Sequence, residues 1–251
     1  MRKFVFGPIK SRRLGRSLGV DLVTPKTCPL DCIYCEARAT TDLTMERREY
    51  VPVKEVLAEL EATLSEIEIP DFITFSGAGE PTLNSGIGQV ITFIKENFPQ
   101  CRVCLLTNGL LLGDESLQRE LAGLDMIIPS LDASDENEYR LINRPVEGET
   151  LEKLVEGMVR FRKANPVKMA LEIFVVPGIN DSAQSIARFA GLIKMISPDS
   201  IQLNTLDRPG VISGIVPAPR EKLEEFAGVL KNIVPVEIFG PSAQPHTPHC
   251  R

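Results

Sequence analysis

The sequence predicts an α/β protein built on a parallel sheet. Two observations carry this. Short apolar segments alternate with stretches of helical periodicity along most of the chain. The glycine-, asparagine- and cysteine-bearing turns follow predicted strands, as expected where strands return through helices and share one carboxyl-end rim.

The first strand is expected over 18–23 and ends before Pro25. A polar segment over 36–52 reads as irregular. Val56, Leu57, Leu60 and Leu64 recur at helical spacing and predict a helix over 53–67, which Pro70 closes. The second strand covers 71–76. Helices over 87–97, 115–122, 151–163, 183–195 and 221–231 then alternate with strands over 101–107, 126–131, 169–176, 200–205 and 234–239. Six strand–helix units with right-handed crossovers bring the turns at 28–35, 77–83, 107–109, 130–134, 176–181 and 204–209 to one site. Residues 1–240 thus read as a single domain, within which 1–17 is a basic N-terminal extension. Residues 241–251 read as an irregular proline-rich tail.

Composition narrows the function. A net charge of −6 argues against non-specific coating of nucleic acid. The basic cluster Arg2, Lys3, Lys10, Arg12, Arg13 and Arg16 suits contact with a phosphate or carboxylate, or simple solvation. The two histidines, His246 and His249, both lie in the tail, which removes Ser-His-Asp and Cys-His arrangements from the body of the chain. No run of 18 apolar residues predicts a membrane span, and the N-terminus lacks the apolar core of a signal peptide. With six cysteines, this points to a reducing, cytoplasmic setting where thiols bind metals.

Three of those cysteines, Cys28, Cys32 and Cys35, stand at the spacing C-x3-C-x2-C directly after the first strand. Three thiolates on one loop can surround a small soft-metal centre. A structural zinc site uses four ligands and an electron-transfer cluster a thiolate on every iron, so three would leave one iron of a cubane open. A zinc or disulfide cluster is the plainer alternative. Cys101 and Cys104 are three apart on a strand, face opposite sides, and read as core residues.

The triplet, with Tyr34 just before its last cysteine, resembles the radical S-adenosylmethionine superfamily. That resemblance implies a partial (βα)6 TIM-like barrel and a [4Fe-4S] cluster on Cys28, Cys32 and Cys35. It also implies S-adenosylmethionine on the fourth iron, cleaved reductively to a 5'-deoxyadenosyl radical. Gly77, Gly79 and Glu80 open a Gly-x-Gly-Glu-Pro turn that is no dinucleotide fingerprint, because Thr82 stands where the third glycine belongs. By the resemblance these three residues hold the methionine end of the cofactor, and Tyr34 packs near its adenine. Asn108, Ser130, Asp132 and Asn180 are further cofactor contacts, Ser130 and Asp132 near the ribose. Asp132 also reads as a helix N-cap, and Arg144 as a residue of the site mouth or a partner of Glu147.

Segments 6–21, 142–145, 176–181 and 202–205 are similar to bacterial and archaeal proteins related to wyosine-base synthases, which modify transfer RNA. Those synthases carry a second cluster on upstream cysteines, and no cysteine precedes Cys28 here. The alternatives are an activase of glycyl-radical enzymes, a modifier of a peptide or small metabolite, or a non-catalytic metal module. The last would join Cys28, Cys32 and Cys35 to His246, His249 or Cys250. A reductant such as ferredoxin or flavodoxin is implied. The substrate class (protein, RNA or small molecule) and the oligomeric state stay open.

Overall fold

The computed structural model describes residues 2–240. An eight-stranded sheet forms its centre, in the order β1 (Val5–Ser11), β2 (Gly15–Val20), β5 (Phe72–Phe75), β6 (Arg102–Thr107), β7 (Met126–Pro129), β8 (Lys168–Phe174), β9 (Ser200–Asn204) and β10 (Val236–Phe239). Two very short strands, β3 (Thr27–Cys28) and β4 (Asp42–Leu43), pair beside it. The helices are α1 (Val53–Glu66), α2 (Ile87–Asn97), α3 (Glu115–Glu120), α4 (Glu136–Ile142), α5 (Leu151–Ala164), α6 (Ala183–Ile196) and α7 (Arg220–Leu230). From β2 to β10 every neighbouring pair in the large sheet is parallel, and the sheet curls into a half-barrel. This is the partial TIM-like barrel that the alternation and the cysteine motif together imply.

Strand alternation sorts the apolar residues into two cores. Val103 and Leu105 of β6, Ile127 of β7 and Met169, Leu171 and Ile173 of β8 face the helices in one large cluster. Their neighbours Cys104, Met126, Ile128 and Ala170 join Leu14 and Phe72 in a smaller cluster on the other face, inside the curl. The period of two along a strand dictates this split. Cys101, at the threshold of β6, belongs to the outer core and Cys104 to the inner one, so both are packing residues, as their spacing predicts.

Residues 5–11, within the segment expected as an extension, form a strand of the large sheet. β1 pairs antiparallel with β2, in a register that runs from Val5 opposite Val20 to Ser11 opposite Gly15. The first parallel strand starts at Gly15, earlier than the apolar run alone suggests. The hairpin is held by hydrogen bonds rather than by a hydrophobic pattern, since most of β1 is solvent-facing. Its start is fastened to α1, where the Glu59 carboxylate accepts from the backbone N–H groups of Lys3, Phe4 and Val5 at 2.7–3.0 Å.

The turn of this hairpin reaches across the open side of the sheet. Arg13 Nη1 donates to Gln202 on β9 at 3.2 Å and pairs with Glu172 on β8 at 3.1 Å. Arg12 donates to Asp207 and to the carbonyl of Gly240, just past β10. Arginine suits the task, because its planar fork offers several donors in fixed directions. β1 and β10 lie at opposite edges, so side chains connect what no strand ladder closes.

The sequence pattern also omits α4, a helix of seven residues. Asp135, not Asp132, is its N-cap and accepts from Glu138 N at 2.9 Å. Among the described residues no helix is long and apolar enough to cross a membrane.

Removing Arg13 leaves the half-buried Glu172 with one fewer donor, so Arg13→Ala should cost about 1–3 kcal/mol in urea unfolding. Glu172→Gln in the same chain should recover part of that loss. A double-mutant cycle in which the two costs simply add would show that the pair does not join the edges.

Candidate functional site

The cysteine loop is strung between two other turns at the carboxyl rim of the sheet. On one side, Lys26 N donates to Ala78 O at 2.9 Å and Glu80 N to Thr27 O at 3.0 Å, which ties the loop to the glycine-rich turn after β5. On the other, Asp31 N donates to Asn143 O at 3.0 Å and Ile33 N to Ile142 O at 2.9 Å. Lys26 O also accepts from Thr41 and Asp42 N, so the returning strand β4 braces the start of the loop.

The two glycines of the rim turn are dictated by close approach. A Cβ on Gly79 would lie 2.2 Å from the Thr27 carbonyl oxygen, a backbone atom that cannot step aside. A Cβ on Gly77 would meet the Asp21 carboxylate, which accepts from Ala78 N at 2.9 Å. Glycine therefore lets the cysteine loop lie directly on the turn.

Each cysteine sulfur accepts from one nitrogen. Asn108 Nδ2 lies 3.6 Å from Cys28 Sγ, Asn143 Nδ2 3.4 Å from Cys32 Sγ and Lys26 Nζ 3.3 Å from Cys35 Sγ. An amide NH2 and an ammonium can only donate, so all three sulfurs are placed as acceptors, the role a metal-bound thiolate plays. Burial pushes the Cys28 thiol up to about 12, aided by the nearby Glu80 charge, and raises Cys32 as well. Such thiols ionise when a cationic centre binds them. Among the described residues no three His, Cys, Asp or Glu side chains converge as the ligands of one metal ion. A zinc ion needs every sulfur about 2.3 Å from a single point, whereas a cubane takes each thiolate on a different iron. The donor set fits the cubane.

The expected cofactor contacts divide into two groups. Gly77, Gly79, Asn108 and Ser130 remain at least partly exposed at the rim. Asn108 is fixed there by Leu110 N, which donates to its Oδ1 at 3.0 Å, and Ser130 hangs on Thr107 O through its backbone N–H. The side chains of Glu80, Asp132 and Asn180 turn inward instead. Glu80 is buried, and its carboxylate accepts from the N–H and hydroxyl of Thr82, the hydroxyl of Thr107 and the N–H of Asn108. It joins the turn after β5 to the turn after β6. Asn180 is fully buried. It donates to Asp132 O and Phe174 O and accepts from Val176 N, each at 2.8 Å, so it holds the turn after β8.

Asp132 occupies the centre of a second network. Its carboxylate accepts from Phe174 N at 3.0 Å, Asn143 Nδ2 at 2.9 Å and the Tyr34 hydroxyl. Burial pushes it up to about 6 despite these donors. The Tyr34 ring stacks on Phe174 with centroids 3.8 Å apart and planes 9° apart, so one of its faces is already covered by protein. Around it Ile33, Ile142, Phe174, Val176 and Leu206 form an apolar cluster beside the cysteine loop. Arg144 pairs with Asp31 at 3.9 Å rather than with Glu147.

Lys26, Asp21 and Asn143 were not singled out by the sequence. Lys26 lies two residues before Cys28 and Asn143 in an Asn-Arg-Pro turn, positions that attract notice only once the cysteine loop is folded. His246, His249 and Cys250 lie outside the described residues.

A sequence profile of the radical SAM superfamily matches residues 22–190, which include the cysteine loop and the rim turns after β5, β6, β7 and β8. The chain belongs to the radical S-adenosylmethionine superfamily. A UPF0026 protein of Methanocaldococcus jannaschii is 30% identical over 232 residues, 91% of this chain and 71% of that protein. A protein of Brachyspira hyodysenteriae named GTPase Obg is 37% identical over 206 residues, and this chain spans only 30% of its length. Among solved structures, a radical SAM methyltransferase from Sphaerobacter thermophilus superposes with a TM-score of 0.70 at 18% identity, covering 89% of this chain and 66% of that one. TYW1 with a lysine–pyruvate adduct bound gives 0.62 at 18% identity, covering 87% and 74%. At such identities these two structures speak for the fold alone.

Two outcomes are expected here. Gly79→Ala should displace the cysteine loop, costing about 1–3 kcal/mol in stability. Gly191→Ala, on a helix with open space around it, should stay within about 1 kcal/mol of the parent. Burial pushes the Asp132 carboxyl from its ordinary 3.8 up to about 6. Its contribution to the stability of the metal-free protein is therefore full below pH 4 and is lost as pH rises through 6. The stability difference between wild type and Asp132→Asn should change by about 3 kcal/mol across that window. A flat difference would place the carboxylate in a polar setting.

Proposed function

We propose that the chain carries a [4Fe-4S] cluster on Cys28, Cys32 and Cys35 and acts as a radical enzyme on S-adenosylmethionine. The observation that carries this reading is the loop of three sulfurs, each placed as an acceptor for a nitrogen that can only donate, beside an exposed glycine-rich turn. When bound, the cluster and S-adenosylmethionine supply reductive cleavage to methionine and a 5'-deoxyadenosyl radical able to abstract hydrogen.

The protein's own share is to hold and to exclude. Asn108, Asn143 and Lys26 orient the three sulfurs and offset the charge gathered on them. The open backbone at Gly77 and Gly79 offers donors and acceptors to the polar end of the cofactor. The Ser130 hydroxyl stands at the same rim for its sugar. The apolar cluster around Tyr34 and Phe174 keeps water from one side of the site. The electron comes from a small carrier such as ferredoxin or flavodoxin. The substrate is a protein, an RNA or a small molecule. A wyosine-type reaction would need a second cluster, yet Cys101 and Cys104 are committed to packing on opposite faces of the sheet.

Anaerobic reconstitution with iron and sulfide, followed by reduction with S-adenosylmethionine present, tests the reading. About four irons per chain are expected by the cubane stoichiometry, with release of 5'-deoxyadenosine. Replacing Cys28, Cys32 or Cys35 by Ala should abolish both. Colourless protein holding zinc, with no cleavage, would overturn the proposal, and twice the iron would overturn the single-cluster form of it.

A further inference from the structure

We infer that Lys26 is a positioning residue that sets the reduction potential of the cluster through Cys35. The inference rests on the reading that Cys28, Cys32 and Cys35 hold a cluster.

Lys26 departs from ordinary lysine behaviour in three ways. It is 8% exposed, whereas lysine is almost never fully buried without a partner. Its backbone sits at φ 67°, the left-handed region that favours glycine. No carboxylate pairs with it among the described residues, and its ammonium is directed at Cys35 Sγ, 3.3 Å away. The backbone on which it stands is fixed on both sides, through Ala78 O on the glycine-rich turn and through Thr41 and Asp42 N on the returning strand. A glycine would meet this backbone geometry with less strain. What only the lysine adds is a cation delivered to one sulfur.

The three sulfurs are thereby made unequal. Cys28 and Cys32 receive neutral amide N–H groups from Asn108 and Asn143, and Cys35 receives a charged donor. Reduction of the cluster takes one electron from the external carrier and adds one negative charge to the metal–sulfur core, with no proton moved by Lys26. A cation beside the core stabilises the reduced form more than the oxidised form, and a hydrogen bond to the sulfur acts in the same direction. Lys26 thus makes the cluster easier to reduce.

The test is a redox titration of the reconstituted chain, followed by visible absorption and electron paramagnetic resonance, for wild type, Lys26→Arg, Lys26→Gln and Lys26→Gly. The glycine variant removes the charge at a backbone position glycine favours, so a folding defect cannot stand in for the effect. Lys26→Gln and Lys26→Gly should retain their iron. Each should shift the reduction equilibrium at least about tenfold toward the oxidised form, about 59 mV for a one-electron couple. Lys26→Arg should stay near wild type. Wild-type potentials in iron-replete Gln and Gly variants would overturn this inference and leave the cluster reading intact. Failure of both variants to take up iron while Lys26→Arg does would also overturn it, in favour of a role in assembly. A wild-type chain that binds no cluster would overturn the reading beneath it.

Discussion

The contact on which the rest of the structure depends is the approach of the Thr27 carbonyl to Gly79. Two backbones meet there with no room for a Cβ between them. That approach permits the paired hydrogen bonds from Lys26 N to Ala78 O and from Glu80 N to Thr27 O. The first cysteine follows at once, so its position is determined by main-chain geometry on the sheet rather than by the freedom of a loop. A site assembled in this way tolerates little displacement, because backbone atoms cannot change rotamer to absorb it.

The acidic residues of the rim serve this rigidity. Glu80 and Asp132 each gather donors from separate turns, and the Glu138 carboxylate does the same beneath α4, accepting from Ser134, Ser185 and Arg188. A buried carboxylate with several donors is a strong organiser, since leaving any donor unpaired would cost about 1–3 kcal/mol. Turns that differ by tens of residues in sequence are thus locked to one another by a few oxygen atoms. These acids join neighbouring turns, and the partly exposed surfaces beside them are backbone, amide and hydroxyl.

Much of this was legible in advance. The alternation of apolar segments with helical periodicity located all seven parallel strands to within a few residues, because the central ones are buried on both faces and read as apolar runs. The split of Cys101 and Cys104 between two cores followed from the period of two. The triplet of cysteines and the glycine-rich turn, read as neighbours from their places after two strands, are hydrogen-bonded to each other at the rim. What escaped notice depends on long-range pairing. β1 is mostly exposed and carries no apolar pattern, so only its ladder with β2 reveals it as a strand. α4 spans only Glu136–Ile142 and its cap lies three residues beyond the acid that resembled one. The inward turn of Glu80 and Asn180 depends on partners in other turns that no local motif announces, and Lys26 acquires meaning only when Cys35 folds back beside it.

The arginine bridges of the N-terminal hairpin carry a consequence for the order in which the chain can fold. They connect positions 189, 195 and 228 residues apart. Contacts of such separation demand closure of nearly the whole chain and so are among the last to be gained. The helical units and their neighbouring strands can form from nearby segments, but Arg12 has no Gly240 carbonyl to meet until the final strand is present. The N-terminal hairpin and the segment around β9 and β10 therefore mature together, and the open side of the half-barrel is among the last parts to reach its final shape.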